Sequence, residues 1–198
     1  MRNASLIVLA VLALAAQAAL AGVIEPTRSQ LTPTEEGYVL SAGFNIELGD
    51  HLEEALMRGV TLAFTLEFNI ERKRWYWFDE RIAGRTLHYR LSYNALTQQY
   101  RLSTGGLYSS YATLSDVLRV LGHVNNLVVA DLAALTPDNT YVAELRLDLD
   151  KSQLPKPLQL DALASKTWQV NAKTVRWEFT AGVLDQTESL DQTGAPDP

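Results

Sequence analysis

A stretch of twelve residues, from Val60 to Glu71, alternates apolar and mostly polar side chains. Its apolar members occupy every second position: Val60, Leu62, Phe64, Leu66, Phe68 and Ile70. Successive side chains of a β-strand point to opposite faces, whereas a helix would scatter these residues around its circumference. Burying six such side chains contributes roughly 9–18 kcal/mol, which is an upper estimate. The stretch therefore predicts a long strand with one buried face, and the rest of the chain should pair beside it or pack over that face.

Residues 1–21 have the features of a secretory signal peptide. Arg2 is the only charge in the segment, and an unbroken apolar run follows from Leu6 to Leu14. Small residues then offer two cleavage patterns, Ala16-Gln17-Ala18 and Ala19-Leu20-Ala21. We predict a cleaved signal peptide and a periplasmic mature protein. An uncleaved anchor is the alternative, because the apolar stretch is nearly long enough to span a bilayer.

The composition excludes several kinds of site. The chain has no cysteine, which rules out disulfides, cysteine metal sites and thiol nucleophiles. Without Arg2 the mature chain has 17 − 1 = 16 basic against 23 acidic residues, a formal charge of −7. This charge argues against nucleic acid as a partner. Because no later hydrophobic run approaches transmembrane length, the mature protein is not expected to be integral to the membrane.

The chain divides into a leader, a linker, one domain and a tail. Residues 22–36 contain two prolines and no periodicity, so we predict an extended linker there. Residues 37–184 form the predicted domain. Residues 185–198 are acidic, contain no basic residue and predict a disordered tail.

The predicted domain reads as a succession of strands. Seven segments are the candidates: Tyr38–Leu48, Val60–Glu71, Thr86–Tyr93, Gln99–Ser103, Leu127–Leu135, Tyr141–Asp150 and Trp168–Thr180. The fifth could also be helical, and the alternation of the last slips near Lys173. Two short helices are predicted, one starting at Asp50 and ending before Gly59, the other capped by Ser115 and ending at Val124. The proline loop Leu154–Leu158 cannot be a central strand. Together these features predict a mainly β fold, a two-sheet antiparallel sandwich of immunoglobulin-like type with two short helices.

One short motif sharpens this prediction. The segment Leu135–Tyr141 resembles the tyrosine corner of immunoglobulin-like domains, in which a tyrosine at the start of a late strand hydrogen-bonds to backbone a few residues upstream. The alternative is an ordinary turn followed by a core tyrosine.

Catalytic and metal-binding patterns are not found. The chain has no nucleophile elbow and no zinc-protease helix motif. Its histidines, His51, His88 and His123, share no metal-ligand spacing. Asp148 and Asp150 share one face of a strand, for which a solvated surface is the favoured interpretation. We therefore predict no catalytic, metal-binding or cofactor-binding residue.

A basic and aromatic segment is the candidate binding site. Three cations precede a run of aromatic residues, and six residues form the predicted site: Arg72, Lys73, Arg74, Trp75, Tyr76 and Trp77. Tryptophan, tyrosine and arginine are enriched at binding hot spots, and the cations would attract an anionic partner. The alternative is that Trp75 and Trp77 point into the core while the polar residues cover it.

Several stretches together resemble the exported proteobacterial family called domain of unknown function 4390. They are Phe64-Thr65-Leu66, Tyr76-Trp77, Leu91-Ser92-Tyr93-Asn94-Ala95-Leu96, Tyr100-Arg101-Leu102, the loop Leu154-Pro155-Lys156-Pro157-Leu158, and Trp168. The family has no assigned activity, so the resemblance implies no catalytic residue. Its members are often encoded beside a nitrogen-type sensor kinase, which implies an accessory role at the cell envelope.

From these observations we expect a non-catalytic periplasmic protein that engages another envelope protein, with a membrane sensor kinase as one candidate partner. The alternative is a module that binds an envelope polymer or a small ligand through the segment from Arg72 to Trp77. An enzyme is the third reading.

Overall fold

The computed structural model describes residues 22–73, 80–164 and 168–182. The predicted signal peptide, the residues Arg74 to Trp77 and the predicted tail lie outside these ranges. Within them the strands are β1 Gly22–Thr34, β2 Gly37–Glu47, β3 Leu62–Arg72, β4 Glu80–Asn94, β5 Gln99–Thr104, β6 Leu107–Tyr111, β7 His123–Ala130, β8 Thr140–Leu149, β9 Val170–Ala172 and β10 Val175–Thr180. The α-helices are α1 Asp50–Met57, α2 Leu114–Leu121 and α3 Lys156–Ala164, and two 3₁₀ turns span Leu132–Ala134 and Lys151–Gln153.

The strands form two sheets that face each other. The small sheet has the order β7-β2-β1-β9, and the large sheet has the order β10-β8-β3-β4-β5-β6. All pairs are antiparallel except β1 with β9. The predicted two-sheet, mainly β sandwich is confirmed. We call the face of each sheet that meets the other sheet its inner face, and the opposite face its outer face.

Strand β3 is the centre of the large sheet. It pairs with β4 on one side and with β8 on the other. Phe64, Leu66 and Phe68 are at most 1% exposed, on its inner face. The strand begins two residues later than the alternation indicated, because Val60 donates its amide to Ala55 O and completes the turn after α1.

Helix α1 packs against β4 of the large sheet, and helix α2 packs against β5 and also contacts β2 of the small sheet. Leu52 and Leu56 of α1 and Val117 and Leu121 of α2 are fully buried. The hydroxyl oxygen of Thr113, not of the predicted cap Ser115, accepts the Asp116 amide and caps α2. Helix α2 also stops at Leu121 because strand β7 begins at His123.

The prediction of a linker over residues 22–36 is wrong. This segment is strand β1, which pairs with β2 from Val23 to Thr34. Its two prolines misled the prediction. Strand β9 covers only the first residues of β1, so Pro26 and Pro33 lie where β1 is a sheet edge, and the register shifts next to Pro26. Proline is tolerated at edges and bulges, so the domain begins at β1.

The last predicted strand is divided between the two sheets. Strand β9 pairs with β1 in the small sheet, and β10 pairs with β8 in the large sheet. The change of sheet occurs at Lys173 and Thr174, where the alternation of the sequence slips. The chain therefore ties the two sheets together along one side of the sandwich.

The loop from Leu154 to Leu158 leads into a helix that was not predicted. Pro155 O accepts the amides of Leu158 and Gln159 at 2.8 and 3.2 Å, which opens α3. Pro157 lies in the first turn, where the missing amide hydrogen is not needed. The prolines thus exclude a central strand, as predicted, and favour the start of a helix.

Candidate functional site

The described part of the basic and aromatic segment is engaged in ion pairs. Arg72, at the end of β3, contacts Glu80 at the start of β4, with 2.5 Å between Nη2 and Oε2. Lys73 contacts Glu178 of β10. The hydrogen bond to Glu80 raises the pKa of Arg72, and the hydrogen bond from Lys73 lowers the pKa of Glu178. Two of the three predicted cations are therefore balanced by acids. Arg74, Trp75, Tyr76 and Trp77 lie outside the described residues, so the site stays a prediction.

The three histidines lie apart and make local contacts. His51 meets the ring of Trp168 edge-on, with 4.7 Å between the centroids. His88 Nδ1 lies 3.2 Å from Thr65 Oγ1, and His123 Nδ1 lies 2.5 Å from Arg119 O. Across residues 22–73, 80–164 and 168–182, no group of three or more histidines or acids is placed to hold a metal ion.

The two predicted carboxylates are also engaged locally. Asp148 forms an ion pair with Arg146 at 2.5 Å, and Asp150 accepts the amide of Ser152 at 3.0 Å and its hydroxyl. Both acids line a hollow of about 680 Å³ on the outer face of the large sheet, together with Thr65, His88 and Gln169. Three of the charged side chains in its walls, Arg146, Asp148 and Asp150, are thus held in local contacts.

The ends of the two sheets differ in how they are protected against pairing with another chain. Charged side chains, prolines, bulges or a short strand normally prevent an exposed sheet edge from pairing with a strand of another chain. Strand β10 alternates Arg176 and Glu178, and β9 has three residues. Strand β7 has two register shifts and a positive φ of 52° at Asn126. The free part of β1 carries Arg28 and Pro33.

Strand β6 has none of these protective features. Its five residues, Leu-Tyr-Ser-Ser-Tyr, include no charge and no proline, and its pairing with β5 is regular. Leu107 is 81% exposed, Tyr108 is 67% exposed, and Ser109 and Ser110 are exposed as well, so the edge is open over these four residues. The edge of β6 is therefore the one sheet edge, among the described residues, that is open and uncharged.

The turn before β6 determines which backbone groups face outward. Gly105 and Gly106 have φ values of 57° and 89°, which fit a two-residue hairpin turn with both central residues in the left-handed region. In such a hairpin the closing pair, Thr104 with Leu107, is hydrogen-bonded, and the bonded pairs recur at every second residue. The amide and carbonyl groups of Tyr108 and Ser110 therefore point away from β5, toward the open side.

Side chains on both faces frame this open edge. Leu107 lies on the inner face, in the row of Phe64, Tyr89 and Thr104. Tyr108 lies on the outer face, with the guanidinium of Arg101 5.3 Å from the centre of its ring. An added strand would meet an apolar side chain on one face and an aromatic ring with a cation on the other.

Sequence reasoning missed this surface because β6 does not alternate apolar and polar residues. The signal that could have found it is the Gly-Gly pair followed by five uncharged residues, two of them tyrosines. Glycine pairs favour two-residue hairpins, so a strand after Gly106 could have been predicted.

The comparisons with known proteins name no activity. A sequence model of the family described as Domain of unknown function (DUF4390) matches residues 21–178. No curated protein and no solved structure matches the chain. Among the described helices, none is long and apolar enough to cross a membrane.

Proposed function

The chain belongs to the domain of unknown function 4390 family, and from this premise we propose that it is a non-catalytic periplasmic binding protein. We propose that it engages another envelope protein, and that this partner contributes a strand that pairs with β6. The periplasmic location rests on the signal features of residues 1–21. The outer part of a membrane sensor kinase is the first partner to test, because the family resemblance in the sequence points to it.

The observation that carries this proposal is the open, uncharged edge of β6. Tyr108 and Ser110 present backbone donors and acceptors to the open side, and backbone groups strongly favour hydrogen-bonded partners. Strand addition satisfies such groups with main-chain hydrogen bonds, while pockets for alternate side chains give specificity. Leu107 offers the apolar contact that would be buried on binding.

A second copy of this chain is a poor occupant of the same edge. Arg101 and Arg90 lie on the outer face, on the two strands next to β6. Antiparallel pairing of two β6 strands would place the outer faces of both copies side by side, so each copy would present arginines to the other and neither β5 nor β6 would offer an acid. A second copy thus lacks charge complementarity at this edge, which favours a different protein as the partner.

The test removes one backbone donor at the edge without changing the hairpin. Ser110→Pro deletes an amide that points away from β5, so the ladder with β5 should survive and the melting temperature should change little. Ser110→Ala is the matched control, because it removes the hydroxyl and keeps the amide. We expect the purified sensor domain to bind the wild-type and Ser110→Ala proteins and to bind Ser110→Pro at least tenfold more weakly, measured by calorimetry.

Two results would contradict the proposal. Equal binding by Ser110→Pro and Ser110→Ala, for the sensor domain and for any protein captured from envelope extract, would exclude β6 as the docking edge. Sedimentation that shows a wild-type dimer and a Ser110→Pro monomer would assign the edge to a second copy of the chain.

A further inference from the structure

Arg101 lies beside the open edge and has no charged partner. It is on β5, directly opposite Ser110 of β6, and its side chain leans diagonally over Tyr108. The ion pairs of the described residues use other cations. Its Nε is buried and has no hydrogen-bond partner. A buried donor without an acceptor is costly, so this guanidinium is prepared for a group that arrives from outside.

The neighbours of Arg101 leave a path toward the edge. The row across the outer face runs from Ser92 on β4 through Arg101 on β5 to Ser110 on β6. Adjacent strands are about 4.8 Å apart, so a strand added beyond β6 would lie two spacings from Arg101. Ser110, directly opposite Arg101, is small, so a long side chain of the added strand can reach over it to the guanidinium beside the Tyr108 ring.

A second arginine strengthens the positive field on this face. Arg90 of β4 pairs with Ser103 and lies diagonally next to Arg101, and it too takes part in no ion pair of the described residues. Arg90 shares a small hollow with Asp150, whose carboxylate accepts Ser152. Arg90 is one strand farther from the edge, so it adds attraction at a distance while Arg101 makes the contact.

We infer that the segment taken up by β6 is an acidic one, in which a glutamate or aspartate pairs with Arg101 on the outer face and its sequence neighbours place apolar side chains against Leu107 on the inner face. This inference rests on the proposed strand addition and names the chemistry of the partner. Hydrogen bonds from arginine to a carboxylate are stronger than hydrogen bonds between neutral groups, because both partners are charged. The Tyr108 ring holds the Arg101 guanidinium in place.

The test uses two capped nine-residue peptides as probes. In one, glutamate alternates with valine; in the other, lysine replaces every glutamate. We expect the purified protein to bind the glutamate peptide at least tenfold more tightly than the lysine peptide, with an affinity that falls as salt rises. Arg101→Gln should lower the affinity of the protein for the glutamate peptide by about tenfold. Arg101→Lys should lose less affinity than Arg101→Gln, because lysine keeps the charge.

Arg85→Gln is the matched control for charge. Arg85 is an exposed arginine of β4 that pairs with Phe68, so it lies on the opposite face of the sheet from Arg101. The control removes the same charge and should leave binding of the glutamate peptide unchanged. Equal affinities of Arg101→Gln and Arg85→Gln, or no binding of the glutamate peptide to the wild type, would overturn the inference.

The same peptides separate this inference from the proposed function. If Ser110→Pro abolishes binding while Arg101→Gln has no effect, strand addition stands and the acidic preference is wrong. If Arg101→Gln weakens binding while Ser110→Pro has no effect, the peptide does not pair with β6 and both ideas fail.

Discussion

Tyr141 Oη accepts a hydrogen bond from the backbone amide of Thr136 at 2.9 Å, across the turn that leads into β8. Tyr141 is 1% exposed, and its ring packs near Phe179, with 6.0 Å between the centroids. Burial raises the pKa of Tyr141, but the hydrogen bonds from Thr136 and Asn139, with the charge of Arg72, leave that pKa below its ordinary value. The predicted tyrosine corner is therefore confirmed, with the hydroxyl as the acceptor.

Removing this hydroxyl should cost stability. Tyr141→Phe keeps the ring and leaves the Thr136 amide without its acceptor, so we expect a loss of about 1–2 kcal/mol in the free energy of unfolding. Urea denaturation measures it. Tyr111→Phe is the control, because the Tyr111 hydroxyl makes no hydrogen bond within the described residues, and it should stay within about 0.5 kcal/mol of the wild type. Equal free energies of unfolding for the two variants would mean that the Tyr141 hydroxyl contributes nothing, and that Tyr141 acts only as an ordinary core residue.

The cap of α2 gives a second prediction. Thr113 Oγ1 accepts the Asp116 amide at 3.1 Å and donates to the Asp116 carboxylate at 2.6 Å. Thr113→Ala should destabilise the protein by about 1 kcal/mol, the usual effect of losing an N-cap. Ser115→Ala, at the cap position that the sequence suggested, should be nearly neutral. The reverse order in denaturant midpoints would show that Ser115 caps the helix in solution.

The same cap should make stability depend on acid. The Thr113 hydroxyl, followed by Arg119, lowers the pKa of Asp116 from its ordinary 3.8. A carboxylate with a lowered pKa stabilises the folded state above its unfolded pKa, and this contribution is lost as the pH falls through the folded pKa. We therefore expect the difference in stability between the wild type and Thr113→Ala to shrink as the pH drops below about 4, measured by urea denaturation at several pH values.

The basic and aromatic segment can be separated from the β6 edge by one triple variant. Because Glu80 and Glu178 already balance Arg72 and Lys73, replacing Arg72, Lys73 and Arg74 by glutamine should leave partner binding unchanged. The two ion pairs are exposed to solvent, so their loss should change the stability of the fold little. A loss of affinity at an unchanged melting temperature would instead return the site to residues 72–77, where Trp75→Ala and Trp77→Ala would then divide the roles of the rings.

Export predicts a defined mature end. Mass spectrometry of the protein purified from cells should find an N-terminus at Ala19 or Gly22. A membrane-bound chain that begins at Met1 would contradict the cleaved signal peptide and favour the anchor.

The predictable parts of the fold are those in which local pattern and burial agree. Strand β3 alternates because its inner face is fully buried, and the hairpin between β4 and β5 follows from the short link at Asn94, whose side chain accepts the amides of Leu96 and Thr97. Strand β1 could not be predicted in this way. Its prolines are acceptable only because β9, distant in sequence, stops after three residues.

The candidate site was less predictable because it depends on distant partners. Lys73 looked like a free cation, but its partner Glu178 lies 105 residues away. Arg101 looked like an ordinary residue of a polar strand face, and only the sheet order shows that it stands beside an open edge without an acid. Whether Lys73 and Arg101 have an acidic partner depends on residues that are distant in sequence, so the local sequence pattern could not predict it.

The parallel pairing of β1 with β9 has a kinetic consequence. Glu25 of β1 and Lys173, the residue that follows β9, form an ion pair at 2.5 Å although they are 148 residues apart in the sequence. Contacts between residues this distant form late, because the entropy of closing the loop must be overcome first, and folds rich in them fold slowly. Neither sheet can be completed until β9 and β10, which follow all the other strands in the sequence, have been made. The chain therefore lacks its finished fold until these last two strands are available to pair.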